Sequence, residues 1–271
     1  MKRVLITGGA SGLGKALAER YGQLGYQVCI TDINEEQGQA VAQDIASSHG
    51  VECLFIRLNV TDDEGWQQVA QTVAQKWQGL DLLVNNAGVA SSGDIDQVTM
   101  TDFQWTMDVN VMGVVKGCHY IVPMLKKSQG HIVNVASMAG LLHMPSMSAY
   151  NASKAAVVAL SETLLAELSP HQVGVSVLCP AFFKTNLTKT MRSTEQSGVH
   201  IANRLMEKSK VQVDDVVSCV VSGVEKNRFY LLSHPREAWL WRIKRWLPDV
   251  YFKIIRSAAD KFHAKMTAKQ A

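Results

Sequence analysis

The chain has 271 residues, of which 47% are hydrophobic and 19% charged, a composition that excludes an intrinsically disordered protein. Its formal net charge of +3 is unevenly distributed. Residues 236–271 hold nine Lys or Arg and three Asp or Glu, a net of +6, so residues 1–235 carry 3 − 6 = −3. Because only the tail is basic, we expect no nucleic-acid binding by the main body.

The five cysteines are scattered, odd in number and form no CxxC pair, so they predict neither a disulfide framework nor a metal site. The opening residues MKRVLITGG hold an apolar run too short for a signal peptide. No run of about 18 apolar residues predicts a membrane span. We therefore expect a cytoplasmic protein.

Short apolar, β-branched runs alternate with amphipathic stretches through residue 233. The runs predict seven strands, at residues 4–7, 27–32, 53–60, 80–85, 131–137, 174–180 and 228–233. The amphipathic stretches predict helices near residues 12–25, 35–49, 63–78, 99–127, 149–170 and 213–226. Strands that are apolar almost throughout are typical of a parallel sheet covered on both faces. The alternation predicts a single α/β domain with a Rossmann-type, doubly wound sheet of seven parallel strands.

Two regions fall outside this alternation. Residues 185–212 have weaker periodicity and are rich in Thr, Ser, Lys and Met, so we interpret them as a mobile insertion that forms a lid over the substrate site. We expect the dinucleotide-binding domain to cover residues 1–235, including this insertion. A basic, amphipathic helical extension is expected over residues 236–271.

The stretch TGGASGLGKAL (7–17) follows the first predicted strand and opens the first predicted helix. A pyrophosphate can approach backbone N–H groups only where no Cβ intervenes, and Gly8, Gly12 and Gly14 meet that need. A tight turn without a ligand is the alternative. Asp32 ends the second strand, where its carboxylate can accept hydrogen bonds from both ribose hydroxyls and would repel a 2′-phosphate. No Lys or Arg stands at positions 10, 11, 33 or 34, so NAD(H) is favoured over NADP(H).

Tyr150 and Lys154 lie four residues apart in YNASK, on one face of a predicted helix. A tyrosine with a pKa of about 10 is a poor base at neutral pH, and an adjacent ammonium lowers that pKa by favouring the phenolate. Ser137 ends the fifth strand, at the sheet edge where ligands bind in such folds. A chance helical pair and a helix cap are the ordinary explanations for these residues taken singly. Together with the glycine turn they indicate a catalytic site.

In these features the chain resembles the short-chain dehydrogenase/reductase family over roughly residues 2–233. The resemblance rests on six ordered motifs: TGGASGLG (7–14), Asp32, NNAG (85–88), Asn110 in DVNVMG, Ser137, and Tyr150 with Lys154. It implies hydride transfer between a nicotinamide and a carbonyl or alcohol carbon, with Tyr150 as general acid/base and Ser137 holding the substrate oxygen. It also implies that Lys154 binds the nicotinamide ribose, and that Asn110 holds a water that links Lys154 to solvent.

The resemblance further implies the residues that contact the cofactor: Gly8, Ser11, Gly12, Leu13, Gly14, Asp32, Ile33, Asn59, Val60, Asn86, Ala87, Gly88, Tyr150, Lys154, Pro180, Phe183 and Thr185. Asn59 stands where the family often has Asp beside the adenine, a mild departure because Asn can still form hydrogen bonds. In CPAFFKTNL, Ala181 replaces the glycine that usually follows the family's proline.

The substrate pocket is expected to be apolar. Phe182 and Phe183 lie next to the nicotinamide end, and Leu142 belongs to the loop between Ser137 and the catalytic helix. His143 in that loop is a candidate substrate contact, with a solvated loop histidine as the alternative. These residues predict a hydrophobic alcohol and its ketone or aldehyde as substrates.

The tail segment WLWRIKRWLPDVYFKIIR (239–256) predicts two short amphipathic helices joined at Pro248. A helical projection places Trp239, Leu240, Ile243, Trp246 and Leu247 on one apolar arc, with Trp241 as the exception. This face packs on the domain itself, on a second subunit, or on anionic lipid at the inner face of a membrane, and the pattern leaves all three open.

The expected function is that of an NAD(H)-dependent oxidoreductase that acts on a hydrophobic small molecule. An NADP(H)-dependent carbonyl reductase and a non-catalytic redox sensor are the alternatives, and the presence of Asn110, Ser137, Tyr150 and Lys154 argues against the sensor. The resemblance implies a homodimer or homotetramer, formed through the helices near 99–127 and 149–170.

Overall fold

The computed structural model describes residues 1–185, 187–194, 196–257 and 259. In chain order its strands are β1 (Arg3–Thr7), β2 (Gln27–Asp32), β3 (Cys53–Arg57), β4 (Leu82–Asn85), β5 (Ser91–Ser92), β6 (His131–Val135), β7 (Gly174–Leu178), β8 (Arg192–Ser193) and β9 (Tyr230–Leu231). Its helices are α1 (Gly12–Gln23), α2 (Glu35–His49), α3 (Asp63–Trp77), α4 (Met100–Met107), α5 (Gly113–Ser128), α6 (Ser148–Leu168), α7 (Gln196–Glu207), α8 (Val213–Glu225), α9 (Pro235–Trp246) and α10 (248–257).

Seven of the strands form one parallel sheet in the order β3-β2-β1-β4-β6-β7-β9. The predicted doubly wound sheet of seven parallel strands in a single α/β domain is thereby confirmed. The chain builds outward in opposite directions from β1 and β4, so the carboxyl ends of these two strands flank a crevice at the switch point. The glycine turn follows β1 and the NNAG segment follows β4, which brings both to that crevice.

Helices cover both faces of the sheet, because alternate side chains of a strand point to opposite sides. On β1, Leu5 belongs to the hydrophobic cluster that includes Ile121 of α5 and further residues of α3 and α6. Its neighbour Ile6 belongs to a second cluster, with Leu17 of α1 and Val220 of α8. The buried strands are therefore held between two layers of helices, which fixes the positions of their carboxyl ends.

Two expectations for regular structure need correction. The single helix expected over 99–127 is interrupted by a π-helical turn, Asp108–Met112, which separates α4 from α5. The insertion 185–212 contains α7, which was not predicted, and the two-residue strand β8 pairs with β5. Ala202 and Met206, one helical turn apart on α7, are both buried. Apolar residues at this spacing were present in the sequence but were obscured by the polar residues between them.

The tail forms the two predicted helices, α9 and α10, with a break at Leu247. The residues of the predicted apolar arc do not share one environment, because Leu240 packs against the domain core together with Trp241, whereas Trp239 and Trp246 are 62% and 81% exposed. Tyr251 of α10 is 2% exposed and belongs to the cluster formed with α3, α5 and α6. Within the described part of the chain, no helix is both long enough and apolar enough to cross a membrane.

Candidate active site

The glycine turn between β1 and α1 has a backbone that other residues would not reproduce. Gly8 and Gly12 have φ angles of +65° and +54°, in the left-handed region that favours glycine. A Cβ added to Gly14 would lie 2.1 Å from the carbonyl oxygen of Gly8, whereas nothing lies within 4 Å of one added to Gly12. The space beside Gly12 is open at the N-terminus of α1, so the turn fits the pyrophosphate of a dinucleotide.

The neighbours of these glycines complete the turn. Ser11 is the N-cap residue of α1, and its side chain forms no capping hydrogen bond. Leu13 is buried, 7% exposed, in the cluster on the α1 side of the sheet. The turn therefore presents backbone groups to the crevice, and the packing of Leu13 in that cluster holds it in place.

The NNAG segment after β4 is fastened to the glycine turn. The backbone N–H groups of Asn86 and Ala87 both donate to Oγ1 of Thr7, at 2.9 Å each. Nδ2 of Asn86 donates to the carbonyl oxygens of Thr7, at 2.8 Å, and of Gly8, at 3.2 Å. These bonds connect the ends of β1 and β4 and fix the floor of the crevice.

The predicted adenosine end lies at the carboxyl ends of β2 and β3. The Asp32 carboxylate accepts hydrogen bonds from the N–H groups of Ala10 and Asn34, at 3.0 Å each. It keeps further acceptor capacity, since an ionised carboxylate has about four lone-pair sites. Ile33, 68% exposed, and Asn59 line a cavity of about 470 Å³. The neighbouring Val60 is buried, 8% exposed.

Arg57 is a residue at this end that sequence reasoning did not consider. It is the register partner of Asp32 across the β2–β3 pair and lines the same cavity. The signal was available, because neighbouring parallel strands end at the same sheet edge. A basic residue therefore stands at the same sheet edge as the carboxylate expected to select the ribose.

The structure brings Ser137, Tyr150 and Lys154 together near the carboxyl ends of β6 and β7. Ser137 follows β6, accepts a hydrogen bond from the N–H of Ala139 at 3.1 Å and donates one to the carbonyl oxygen of Pro180 at 3.4 Å, and its side chain lies near enough to Tyr150 to influence the pKa of that hydroxyl. Lys154 is 4% exposed, and its Nζ lies 5.8 Å from the centre of the Tyr150 ring. Nζ donates to the carbonyl oxygen of Val135 at 3.0 Å. No other acceptor for Nζ is found among the described residues, which leaves two N–H donors for a ribose.

The ionisation of these groups is controlled by burial. Burial raises the pKa of Tyr150, and the nearby side chain of Ser137 opposes this rise. The expected lowering of the Tyr150 pKa by Lys154 is therefore not the dominant effect in this structure. Burial also lowers the pKa of Lys154 from 10.5 to about 8. Both shifts favour the neutral form, because desolvation disfavours charge.

Asn110 lies inside the π-helical turn and is fully buried. Its Oδ1 accepts from the N–H of Val89 at 2.8 Å, and its Nδ2 donates to the Val89 carbonyl at 2.9 Å and to Oγ of Ser153 at 3.0 Å. A Cβ added to Gly88 would lie 3.1 Å from Asn110 Oδ1 and 3.3 Å from Lys154 Nζ. Asn110, Gly88 and Lys154 thus lie close together.

The PAFF segment after β7 is held by His234, a residue that sequence reasoning missed. His234 is 4% exposed, its Nδ1 accepts from the N–H of Ala181 at 3.2 Å, and its Nε2 lies 3.3 Å from the Phe182 carbonyl. A neutral ring with its proton on Nε2 satisfies both contacts. Burial lowers the pKa of His234, which favours this neutral form.

The predicted residues around this segment occupy different environments. The Pro180 carbonyl accepts from the N–H of Met138 at 2.8 Å, which connects the segment to the loop that follows Ser137. Phe183 is 6% exposed and belongs to the cluster on the α1 and α8 side, whereas Phe182 is half-buried. Oγ1 of Thr185 accepts from the N–H of Leu187 at 3.3 Å.

The loop 138–147 between Ser137 and α6 is held by the tail. Nζ of Lys244 donates to the carbonyl oxygen of Leu141 at 2.6 Å and lies 3.3 Å from Nδ1 of His143. The same Nζ lies 5.5 Å from the centre of the Tyr251 ring on α10. His143 is exposed and turned towards Lys244, whereas Leu142 is buried in the α5–α6 cluster. No motif or spacing in the sequence predicted that Lys244 or Tyr251 would lie near the 138–147 loop.

The insertion 185–212 is anchored to α4. Arg192 of β8 forms an ion pair with Asp102 at 2.9 Å, and its guanidinium lies 3.9 Å from the centre of the Trp105 ring. Both partners belong to α4. The insertion is therefore attached to α4, whereas the 138–147 loop is attached to α9 through Lys244.

Comparisons with known proteins agree with this geometry. A family model described as "short chain dehydrogenase" matches residues 2–196. A "CLA biosynthesis dehydrogenase/reductase" of Lactiplantibacillus plantarum is 32% identical over 92% of this chain and 94% of its own length. A short-chain dehydrogenase/reductase from Burkholderia phymatum, solved in complex with NAD, is 32% identical with a TM-score of 0.87, over 93% of this chain and 95% of that chain. A short-chain dehydrogenase from Sphingobium yanoikuyae, solved in complex with NADPH, is 25% identical with a TM-score of 0.78, over 99% of this chain and 95% of that one.

Proposed function

The chain belongs to the short-chain dehydrogenase family of NAD(P)-binding oxidoreductases, and we propose that it uses NAD(H) to interconvert a hydrophobic alcohol and its ketone or aldehyde. The observation that carries the proposal is the group formed by Ser137, Tyr150 and Lys154 beside the glycine turn. Two hydroxyls and an ammonium meet there at the edge of the crevice, with Asn110 and Gly88 packed behind them.

In this proposal Tyr150 transfers the proton. The bound nicotinamide supplies or accepts the hydride. During reduction the Tyr150 hydroxyl donates its proton to the carbonyl oxygen of the substrate, and during oxidation the phenolate takes that proton back. Ser137 donates a hydrogen bond to the same oxygen and orients it. Lys154 binds the ribose hydroxyls with its two free donors, and its ammonium favours the phenolate form of Tyr150.

The preference for NAD(H) rests on Asp32. Its carboxylate is fixed by the N–H groups of Ala10 and Asn34, so it cannot easily turn away from a 2′-phosphate placed beside it. Arg57, its register partner, is positively charged and could attract the 2′-phosphate that Asp32 repels, so NADP(H) binding is measured as well. The relatives include one solved with NAD and one with NADPH. We assign the preference to Asp32 because a carboxylate directly accepts the two ribose hydroxyls.

The preference for hydrophobic substrates rests on the segments that border the site. Phe182 and Thr185 lie on the segment held by His234, and Met144 of the 138–147 loop is 47% exposed. Leu205 of α7, 38% exposed, lies on the insertion. Apolar side chains that remain exposed beside a site favour an apolar ligand, since a sugar requires more hydrogen-bonding partners.

Two further assignments belong to the same proposal. We infer that residues 185–212 serve as the substrate lid of a domain that covers residues 1–235. We also infer that the chain forms a homodimer or homotetramer through α5 and α6, the helices through which the family commonly assembles. Leu165 of α6 is 40% exposed and Met112, directly before α5, is 44% exposed, so both helices present apolar surface.

A substrate and cofactor panel tests the proposal. The purified chain is assayed in both directions with long-chain and cyclic alcohols, their carbonyl products, and sugars, each with NAD(H) and with NADP(H). We expect kcat/KM for the best hydrophobic substrate to exceed that for sugars by about 100-fold. We also expect Asp32→Ala to weaken NADH binding about tenfold, through loss of hydrogen bonds to a charged group. A preference for sugars would contradict the substrate assignment, and a wild-type preference for NADPH would contradict the role of Asp32.

A further inference from the structure

The outer face of α9 and α10 carries an unusual concentration of exposed apolar residues. Of the fifteen large hydrophobic side chains that the described residues expose, six lie within the sixteen positions from 239 to 254. They are Trp239, Trp246, Leu247, Val250, Phe252 and Ile254, which are between 47% and 81% exposed. The inner face of the same helices is already covered, because Trp241 and Tyr251 pack against the domain core. We call the exposed side of these two helices, which carries these six side chains, the outer face.

Basic side chains accompany this face. Arg242, Arg245, Lys253 and Arg256 are all exposed on the same two helices. Residues 239–256 hold five Lys or Arg and one acidic residue, Asp249, a net of 5 − 1 = +4, whereas the whole chain carries +3. The positive charge is thus concentrated where the apolar side chains are exposed. Indole rings and guanidinium groups together are suited to the headgroup region of an anionic bilayer.

We propose that the outer face docks on the surface of a membrane that contains anionic phospholipid. The apolar side chains enter the headgroup region, and the four exposed basic side chains contact lipid phosphates and carboxylates. Each helix has only about three turns and is too short to cross a bilayer. In this proposal the two helices therefore lie along the membrane surface.

A second copy of the chain fits this face less well. Most soluble homodimers have two-fold symmetry, so the same patch would face itself. Arg242, Arg245, Lys253 and Arg256 would then meet like charges, with Asp249 as the sole acidic residue within 239–256 to offset them. Anionic lipid offers the complementary charge that a twin subunit lacks.

The docking helices contact the loop that follows Ser137 in the candidate site. Lys244, on the inner face, donates a hydrogen bond to the carbonyl oxygen of Leu141 in the 138–147 loop that follows Ser137. This link is compatible with a substrate that resides in the membrane, but the docking proposal itself requires only the outer face.

Vesicle binding of the full chain tests the proposal. Sedimentation is measured with vesicles of phosphatidylcholine alone and with about 30 mol% phosphatidylserine. Trp239→Ser/Trp246→Ser removes apolar side chains, and Arg242→Gln/Arg245→Gln removes charge. Leu24→Ser/Ile95→Ser and Lys126→Gln/Lys127→Gln are matched controls, because they make the same kinds of change at exposed positions elsewhere.

We expect the wild-type chain to bind the anionic vesicles, and we expect both control variants to bind them equally well. The tryptophan pair should lose at least about tenfold in partition coefficient, through lost apolar burial. The arginine pair should lose about 30-fold, at about fivefold for each charge near an anionic surface. Equal binding by wild type and both test variants, or no binding by wild type, would overturn the proposal. It would also be overturned if the tryptophan pair abolished self-association in sedimentation velocity while wild type ignored the vesicles, because the occupant would then be a second copy.

Discussion

Burial acts in opposite directions on the two ionisable side chains of α6. It raises the pKa of Tyr150 and lowers the pKa of Lys154 to about 8. At neutral pH the phenol therefore keeps its proton, while most Lys154 side chains remain charged. The protonated phenol is the form that donates to a carbonyl oxygen. The ammonium, held by the carbonyl of Val135, remains one helical turn away to favour the phenolate when that proton leaves.

Lys244 is a positioning residue for the loop beside the site. Lys244→Met keeps much of the aliphatic stem but removes the donor to Leu141, so the loop loses a charged hydrogen bond. We expect the KM for the carbonyl substrate to rise about fivefold, with kcat and NADH affinity unchanged within about twofold. Lys244→Arg keeps a charged donor and should restore most of the wild-type KM. Steady-state kinetics and NADH titration check this, and an equal fall in kcat and NADH affinity would speak against a local role.

At the scale of elements, the strands and most helices could be predicted because their apolar residues repeat at the period of the element. The π-helical turn could not be predicted, since α4, the turn and α5 share one continuous helical pattern in the sequence. The positions of the candidate catalytic residues were predictable for a different reason. Ser137, Tyr150 and Lys154 are placed by the end of a strand and by the spacing on one helix, both of which are local.

Apart from Arg57, the residues that the sequence analysis missed reach the site through tertiary packing. His234 and Lys244 come from chain beyond the last strand, and their contacts with Ala181 and Leu141 depend on how the tail folds back. A helical projection identified the tail as amphipathic but not which of its faces is buried. Trp241 packs against the domain core whereas Trp239 is exposed, and this difference depends on tertiary contacts that the helical pattern does not contain.

At the scale of the whole molecule, the central sheet contains a histidine that must stay neutral. His131 of β6 is 8% exposed, its Nε2 lies 2.8 Å from Oγ of Ser176, and burial lowers its pKa from 6.5 to about 4. Between these two values the unfolded chain binds more protons than the folded chain, so stability falls as the pH falls. The contribution is fully present above about pH 6.5 and decreases by roughly 3 kcal/mol as the pH approaches 4.

Urea unfolding at about pH 7.5 and about pH 5 tests this sign. The free energy of unfolding should fall by about 2 kcal/mol more for wild type than for His131→Gln, which has no proton to gain there. Other titrating groups contribute to both proteins and cancel in the comparison. The same pH dependence in wild type and variant would show that His131 is not responsible.

The central claim is that Tyr150 is the proton donor and acceptor of a nicotinamide-dependent reaction. The direct measurement is turnover of the best carbonyl substrate by Tyr150→Phe, with NADH affinity of the same preparation determined by fluorescence titration. We predict a loss in kcat of at least about 1,000-fold, because general acid catalysis contributes on the order of 10²–10⁴-fold, with the NADH dissociation constant within about threefold of wild type. Retention of more than about a tenth of the wild-type kcat would contradict the account.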